Sequence, residues 1–564
     1  MRVRSISFRS FRSLSYLPIK AKPLNILVGA NNAGKTNILK AMRYLFQPDY
    51  NPTLNDFPSF LKRKFISVEA ELESLSPEWK NNFPAYIPGN RCTLKRRSSF
   101  HEVKPQYWIN GYALSTDQLS VLKSLLDGYF VYIPVIRDIE GELEMGSRVY
   151  TKLMHQVRTG FKGYQREDFE DGIRRATLGL NRLIRRQTSD VLGALKSNLE
   201  GSNVEFAVKP SIEQVIREIS ISVIQRGGEL PLENTGQGYQ SLAILALYRA
   251  LAERTKKECL YAIEEPELHL HPHLICFAME YIRHIADHNI VFLTTHSSTI
   301  VENARLSELI RVSILDGRTQ LMSCGNIEKG QELKLEIKIL GGKTKIFFSK
   351  AVVLCEDTGA AITLPIWSSK LLGNPSGLLT YDFNKLGIGV VEVGGTEWKP
   401  YIDILKMFDI PFIMVSDEKQ WTDRIVFDVL DKTELGRLYP RSLNSLKLLY
   451  SVNNKLTDDI INRLGKFRWF CFNGEYEGLY IHDGALKTLS KIFKECIPGK
   501  FKEVAKGRRR LQDITAAIEV AKNKKVLAAT AAAMELEGKE MSNSLRNLLH
   551  RIVWYFRPLL RRME

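Results

Sequence analysis

Gly29-Ala30-Asn31-Asn32-Ala33-Gly34-Lys35-Thr36 follows a compact apolar run, Leu24, Ile26, Leu27 and Val28, and precedes NILKAMRYLF, in which Ile38, Leu39, Met42 and Leu45 recur at helical spacing. The order strand, glycine loop, helix turns the pattern GxxxxGK[ST] into a phosphate loop. Glycines let backbone N–H groups approach phosphates, the lysine fixes a positive charge near the β and γ groups, and the hydroxyl of Thr36 can ligate magnesium. The candidate nucleotide contacts are therefore Gly29, Asn32, Gly34, Lys35, Thr36 and Asn37.

Three further motifs follow in a fixed order. Asn234-Thr235-Gly236-Gln237-Gly238-Tyr239-Gln240-Ser241 precedes the helical stretch LAILALYRALAE, so its N–H groups and the positive helix end can meet a phosphate; Gly236, Gln237 and Gly238 are the candidates. CLYAIEEPELHLHP gives an apolar strand ending in Glu264 and Glu265, where the first carboxylate can hold magnesium and the second can serve as catalytic base. NIVFLTTHSS carries a strand into His296, from which an imidazole can sense a γ-phosphate. The order predicts an ABC-type ATPase over residues 1–340 that uses ATP and Mg2+. A signature of this kind completes the nucleotide site of another subunit, so a homodimer or higher homo-oligomer is expected. His269, His271 and His273 could share one strand face as a metal site, but a turn after the Walker B strand is the preferred reading.

The 564 residues exceed what one hydrophobic core serves. Amphipathic stretches without strand signals suggest a helical insertion over about 140–226. Beyond a polar stretch ending near 340, AVVLC, GIGVVEV and PFIMVS are runs of strand length with helical segments between them, which predicts a parallel α/β domain over 341–484. From 485 to 564 the pattern is helical. The net charge of +17 attracts polyanions, and it concentrates in Lys491–Arg510 and at Arg557, Arg561 and Arg562; DNA or RNA phosphate is the sharper reading, a solvated helix face the plainer one. Seven cysteines without a CxxC pair argue against a disulfide framework or zinc ribbon and fit a reducing cytoplasm. The amino terminus has no signal-like apolar core and no apolar run reaches about 18 residues, so a cytoplasmic protein with no membrane partner is expected.

These residues together resemble the OLD (overcoming lysogenisation defect) family, in which an ABC ATPase is fused to a Toprim nuclease and to which the ATPase of the Gabija anti-phage system belongs. IEEPELHLHP, TTHSS, YIPVIRD (Tyr132 to Asp138) and VEVGGT (Val391 to Thr396) carry the likeness. It implies the following fold class: α/β, with an N-terminal ABC-type ATPase domain bearing the helical insertion, then a Rossmann-like Toprim domain, then a helical C-terminal region. It also implies phosphoryl-transfer chemistry with Mg2+ or Mn2+ held by acids at neighbouring strand ends. The resemblance places those acids at Glu356, Asp417 and Glu477, with Glu475 a neighbour, and a charge-stabilising lysine at Lys524. Two positions depart from the family pattern. EGxxE becomes Glu356-Asp357-Thr358-Gly359-Ala360, and DxD becomes Asp417-Glu418-Lys419. Three alternatives follow: one metal helped by Asp357, Glu418 or Glu397; Lys419 replacing a metal electrostatically; or binding without cleavage. The leading expectation is an ATP-regulated, metal-dependent DNA endonuclease or nickase of a prokaryotic defence system. The alternative is a DNA-binding ATPase similar to RecF and SMC proteins, and a helicase or reverse-transcriptase partner is a further possibility.

Overall fold

In the computed structural model, Val3, Ile6 and Phe8 are buried while Arg2, Arg4 and Arg9 are exposed, the period-two pattern of a half-covered strand. The structure describes all residues except 59–64, 101–104, 136–170, 173–174, 176–177, 179–221, 226–227, 255–257, 326, 373–381, 453–454, 507–509 and 564. They form two units, one of residues 1–125 with 292–564 and one of residues 126–291.

In the first unit β1 (Arg2–Phe11) turns tightly into β2 (Leu14–Lys20), a strand absent from the sequence reading. Pro18 masks it; β2 is an edge strand, where a residue without an N–H is tolerated. The buried β3 (Leu24–Val28) then feeds the phosphate loop and α1 (Lys35–Phe46). β4 (Phe65–Glu73), β5 (Arg91–Ser99), β6 (Gln106–Ile109) and β7 (Tyr112–Ala113) complete an antiparallel sheet in the order β2-β1-β4-β5-β6-β7. β5 was likewise unanticipated, because its inward side includes Arg96. That guanidinium is fully buried, lies 4.5 and 5.0 Å from the Tyr44 and Tyr107 rings, and donates to the carbonyls of Gln47 and Pro48.

The second unit pairs β8 (Phe130–Ile133) in parallel with a later strand, Leu260–Glu264. Between them come the hairpin of β9 (Ser222–Gln225) and β10 (Gly228–Pro231), then α2 (Gln237–Arg254). Leu260–Glu264 is β11, followed by α3 (Pro272–Ala286). The helical insertion expected over 140–226 lies almost wholly outside the described residues.

The chain enters the first unit again along β12 (Ile290–Thr294). β13 (Leu309–Leu315) pairs in parallel with β3 and in antiparallel with β14 (Arg318–Ser323). A four-stranded parallel sheet follows, built from β15 (Ala351–Cys355), β16 (Ile388–Glu392), β17 (Phe412–Ser416) and β18 (Trp469–Cys471). Helix α4 (Thr358–Leu372) connects β15 to β16, and α5 (Trp398–Met407) precedes β17. The order β16-β15-β17-β18 sends one crossover to each side of β15. The switch point thus lies between the carboxyl ends of β15 and β17, where open parallel sheets hold ligands.

The helical end comprises several helices, including α6 (Ile514–Asn523), α7 (Lys525–Glu535) and α8 (Asn543–Arg562). Ala528, Ala529, Ala532 and Ala533 are buried in α7, so the Ala-rich stretch is a close-packing face in the core that also holds Leu364 and Trp367 of α4. The α/β fold class with a parallel C-terminal sheet and a helical end is as the sequence implied. Among the described residues, no helix is long and apolar enough to cross a membrane.

Arg311 ties β13 to the following domain. It is 3% exposed and donates to the carbonyls of Phe408 (3.3 Å), Asp409 (3.1 Å) and Ser349 (3.2 Å). Burial lowers its pKa to about 10, against the opposing pull of Asp409, so it remains charged at neutral pH. Arg311→Met leaves those carbonyls without their donor. Urea unfolding should show a loss of about 2–4 kcal/mol, and a loss below about 0.5 kcal/mol, the size of a surface change, would contradict this anchoring.

Candidate functional site

The phosphate loop is held by its surroundings in the first unit. Gly29 has φ 147°, and a Cβ there would lie 2.0 Å from the carbonyl oxygen of Val312 on β13, so only glycine fits. Lys35 is 5% exposed and its Nζ donates to the carbonyls of Gly29 and Ala30, each at 2.9 Å. Asn32 takes a left-handed conformation at φ 61°, and Gly34 caps α1. Thr36 is partly exposed in the first turn of α1. Asn37 donates to Ser13 Oγ (2.9 Å) and accepts from Arg12 (3.2 Å), while Ser13 shares a 2.7 Å bond with Thr319. Thr319 in turn donates to the Ala33 carbonyl at 3.2 Å. Arg12, Ser13 and Thr319 thus brace the loop; nothing in their own sequence neighbourhood marks them for that task.

His296 follows β12 and is exposed. The N–H of Thr295 donates to Leu27 O at 3.2 Å, which sets the ends of β12 and β3 side by side and brings His296 to the edge that carries the loop.

In the second unit, Glu264 ends β11 and is 5% exposed, and Glu265 follows at φ 39°, a left-handed conformation that is costly for a residue with a side chain. Gly236, Gln237 and Gly238 open α2. A Cβ on Gly238 would stand 2.6 Å from the carbonyl oxygen of His269, so the signature turn packs directly on the turn after β11. The rings of His271 and His273 stack at 5.2 Å. Among the described residues no group of three or more His, Cys, Asp or Glu side chains is placed to hold a metal.

At the parallel sheet, Glu356 follows β15 and Asp417 follows β17, so their carboxyls come to neighbouring strand ends at the switch point, near enough to shift one another's protonation. Burial first, and then the charge of Asp417, push Glu356 up to about 7; burial also raises Asp417, partly offset by the backbone N–H groups of Lys419 and Gln420. Gln420, 2% exposed, opposes that rise in Glu356, and its amide oxygen accepts from Trp398 Nε1 at 3.1 Å. That indole bond directs the Gln420 amide N–H toward the carboxylate. The sequence reading missed this brace.

The other acids are committed elsewhere. Asp357 caps α4 by accepting from Ala360 N at 2.8 Å. Glu418 accepts from Gly474 N at 3.0 Å and Leu456 N at 3.4 Å. Glu397 pairs with Lys338, and Glu392, at the end of β16, accepts from Thr358. Glu477 is buried and lies 3.5 Å from Lys525, and Glu475 lies 2.8 Å from Lys522. Lys524, between α6 and α7, is exposed, as is Lys419. Ala360 is 5% exposed in the apolar core.

Two family models match the chain. The AAA ATPase domain matches residues 1–87 and 140–301, and the TOPRIM domain of overcoming lysogenization defect protein-like proteins matches 347–418. The chain therefore joins an ATPase domain to a Toprim domain. Its Toprim match and its named relatives are both of the OLD type, which the chain resembles over most of its length. The OLD nuclease of Thermus scotoductus is 23% identical over 74% of this chain and 82% of its own length, and the Old nuclease of Escherichia phage P2 is 23% identical over 70% and 73%. Endonuclease GajA of Bacillus cereus is 20% identical over 74% and 75%. Among solved structures, the Smc head domain bound to the C-terminal domain of ScpA from Pyrococcus furiosus has TM-score 0.38 at 16% identity, covering 60% of this chain and 99% of that one. The C-terminal region of the Xanthomonas campestris OLD protein has TM-score 0.29 at 19% identity, covering 38% and 98%.

Gly29→Ala should cost at least about 2 kcal/mol of stability, as steric conflict with a backbone oxygen does, and should abolish retention of a fluorescent ATP analogue. Gly236 has open space around its Cβ position; Gly236→Ala should unfold within about 0.5 kcal/mol of the parent. Equal denaturation midpoints for the two variants would refute the packing described.

Proposed function

We propose that the chain is an ATP-regulated, divalent-cation-dependent DNA endonuclease or nickase of a prokaryotic anti-phage defence system, working in the cytoplasm. The observation that carries this reading is the carboxylate pair Glu356 and Asp417 meeting at the switch point of the parallel sheet. Two acids forced together in a half-buried site repel each other as anions, and a hard divalent cation with oxygen ligands removes that repulsion. The donor set therefore fits Mg2+ or Mn2+, with Glu356 and Asp417 as the holding residues. A cation there supplies neutralisation of the charge that develops on a scissile phosphate. Gln420 and the N–H groups after Asp417 fix the two carboxyls in place, and lysines at the α6–α7 junction supply further positive charge. Exposed lysines on the helix Leu486–Cys496 and arginines of α8 offer contacts to the DNA backbone.

In the ATPase domain, Lys35 and the loop N–H groups bind the triphosphate of ATP, Thr36 and Glu264 hold Mg2+, Glu265 acts as base and His296 senses the γ-phosphate. Gly236, Gln237 and Gly238 complete the site of a second copy, which makes a homodimer the working unit. The functional divisions are an ATPase domain over 1–340, a Toprim domain over 341–484 and a basic helical region over 485–564. The names of the relatives, OLD nuclease and endonuclease GajA, support the same reading.

The burial of Ala360 and the exposed Lys419 favour a second reading, a DNA-binding ATPase without cleavage. Supercoiled plasmid incubated with the protein and Mg2+ or Mn2+ separates the two. The first reading predicts nicking, reduced at least about a hundredfold by Glu356→Ala or Asp417→Ala, with Lys35→Ala losing ATP binding. An inert parent protein that still retains plasmid would establish the second.

A further inference from the structure

Glu475 and Glu477, on the segment that leaves β18, are held by ammonium groups from another part of the chain. Lys522 reaches Glu475 at 2.8 Å and Lys525 reaches Glu477 at 3.5 Å. The segment is fastened to the Asp417 loop, because Glu418 accepts from Gly474 N at 3.0 Å and Gly474 O accepts from Glu418 N at 3.3 Å. The lysines come to the same edge with α7, whose Ala529, one helical turn after Lys525, faces Gly359 just beyond Glu356; a Cβ on Gly359 would lie 3.9 Å from that of Ala529. Two ammonium groups are thus paired to the segment that hydrogen-bonds the loop after Asp417.

Among the described residues at this same edge, the carboxylates that could complete a second cation site are missing or engaged. Ala360 fills core, Lys419 follows Glu418, Asp357 caps a helix and Glu418 closes a loop. Glu356 and Asp417 act on each other at neighbouring strand ends, with the charge of Asp357 acting on both. A cation needs anionic oxygens that are not already neutralised, and Glu475 and Glu477 each have an ammonium partner.

We propose that the Toprim site of this chain takes a single divalent cation, between Glu356 and Asp417, and that Lys522 and Lys525, anchored by Glu475 and Glu477, provide in protein form the positive charge a second cation would bring. This deepens the nuclease reading above and rests on it. Glu477 is on this account the counter-ion of Lys525 rather than a metal ligand, and Lys522 and Lys525, whose ammonium groups are held by ion pairs, face the scissile phosphate in place of Lys524.

Titration of the nucleotide-free full-length protein with Mn2+, read by paramagnetic resonance of the free ion, should give one site per chain. Asp417→Asn should abolish it, and the double variant Glu475→Gln, Glu477→Gln should retain it. Lys522→Met with Lys525→Met should keep the same stoichiometry, evidence that the site is folded, while plasmid cleavage at saturating Mn2+ falls about a hundredfold. Two ions per chain, one of them lost in the double glutamine variant, would overturn the proposal and leave the nuclease reading standing, as would undiminished cleavage by the double methionine variant. Absence of both Mn2+ binding and cleavage in the parent would overturn the nuclease reading and the proposal with it.

Discussion

Two carboxyls, Glu356 and Asp417, come together where the neighbouring strands β15 and β17 end, and their mutual repulsion is the constraint on which the account of the C-terminal site depends. Parallel register fixes the strand ends, since Cys355 of β15 stands opposite Val415 of β17, one residue before Glu356 and two before Asp417. Trp398 orients Gln420, and Trp469, 5.0 Å from Trp398 ring to ring, donates to Ser416 at 2.8 Å. Aromatic packing thus braces the strand ends that carry the two acids, and on the proposed reading a cation relieves the repulsion between them.

The phosphate loop and the acid pair are joined through one strand of the first unit. On β13, Val312 gives the carbonyl against which Gly29 packs, and its neighbour Arg311 anchors the carbonyls of Phe408, Asp409 and Ser349, which flank α5 and β15. The turn after β13 is held as well: Arg562, at the end of α8, pairs with Asp316 at 2.8 Å. β13 therefore packs against the phosphate loop and against the segments that flank the parallel sheet.

Much of this was legible in the sequence. The phosphate loop could be read because its glycines and lysine serve one local task, and the parallel sheet because AVVLC and PFIMVS are short apolar runs ending in acids. What stayed hidden depends on contacts between distant residues. β5 was lost because a buried arginine occupies an inward position, and its burial is made possible by carbonyls some fifty residues away. The braces Arg12, Ser13 and Thr319, and the pairing of Lys522 and Lys525 with Glu475 and Glu477, carry no local signal at all. The resemblance pointed to Lys524, which lies at the junction of α6 and α7, one or two positions from the lysines that make ion pairs.

Anomalous scattering at the manganese edge from crystals soaked in Mn2+ without nucleotide tests the central claim most directly. One peak between the carboxyls of Glu356 and Asp417, with density for ammonium groups and no metal beside Glu477, is the expected result. A metal peak bound by Glu477, or none at the Glu356 and Asp417 pair, would contradict it.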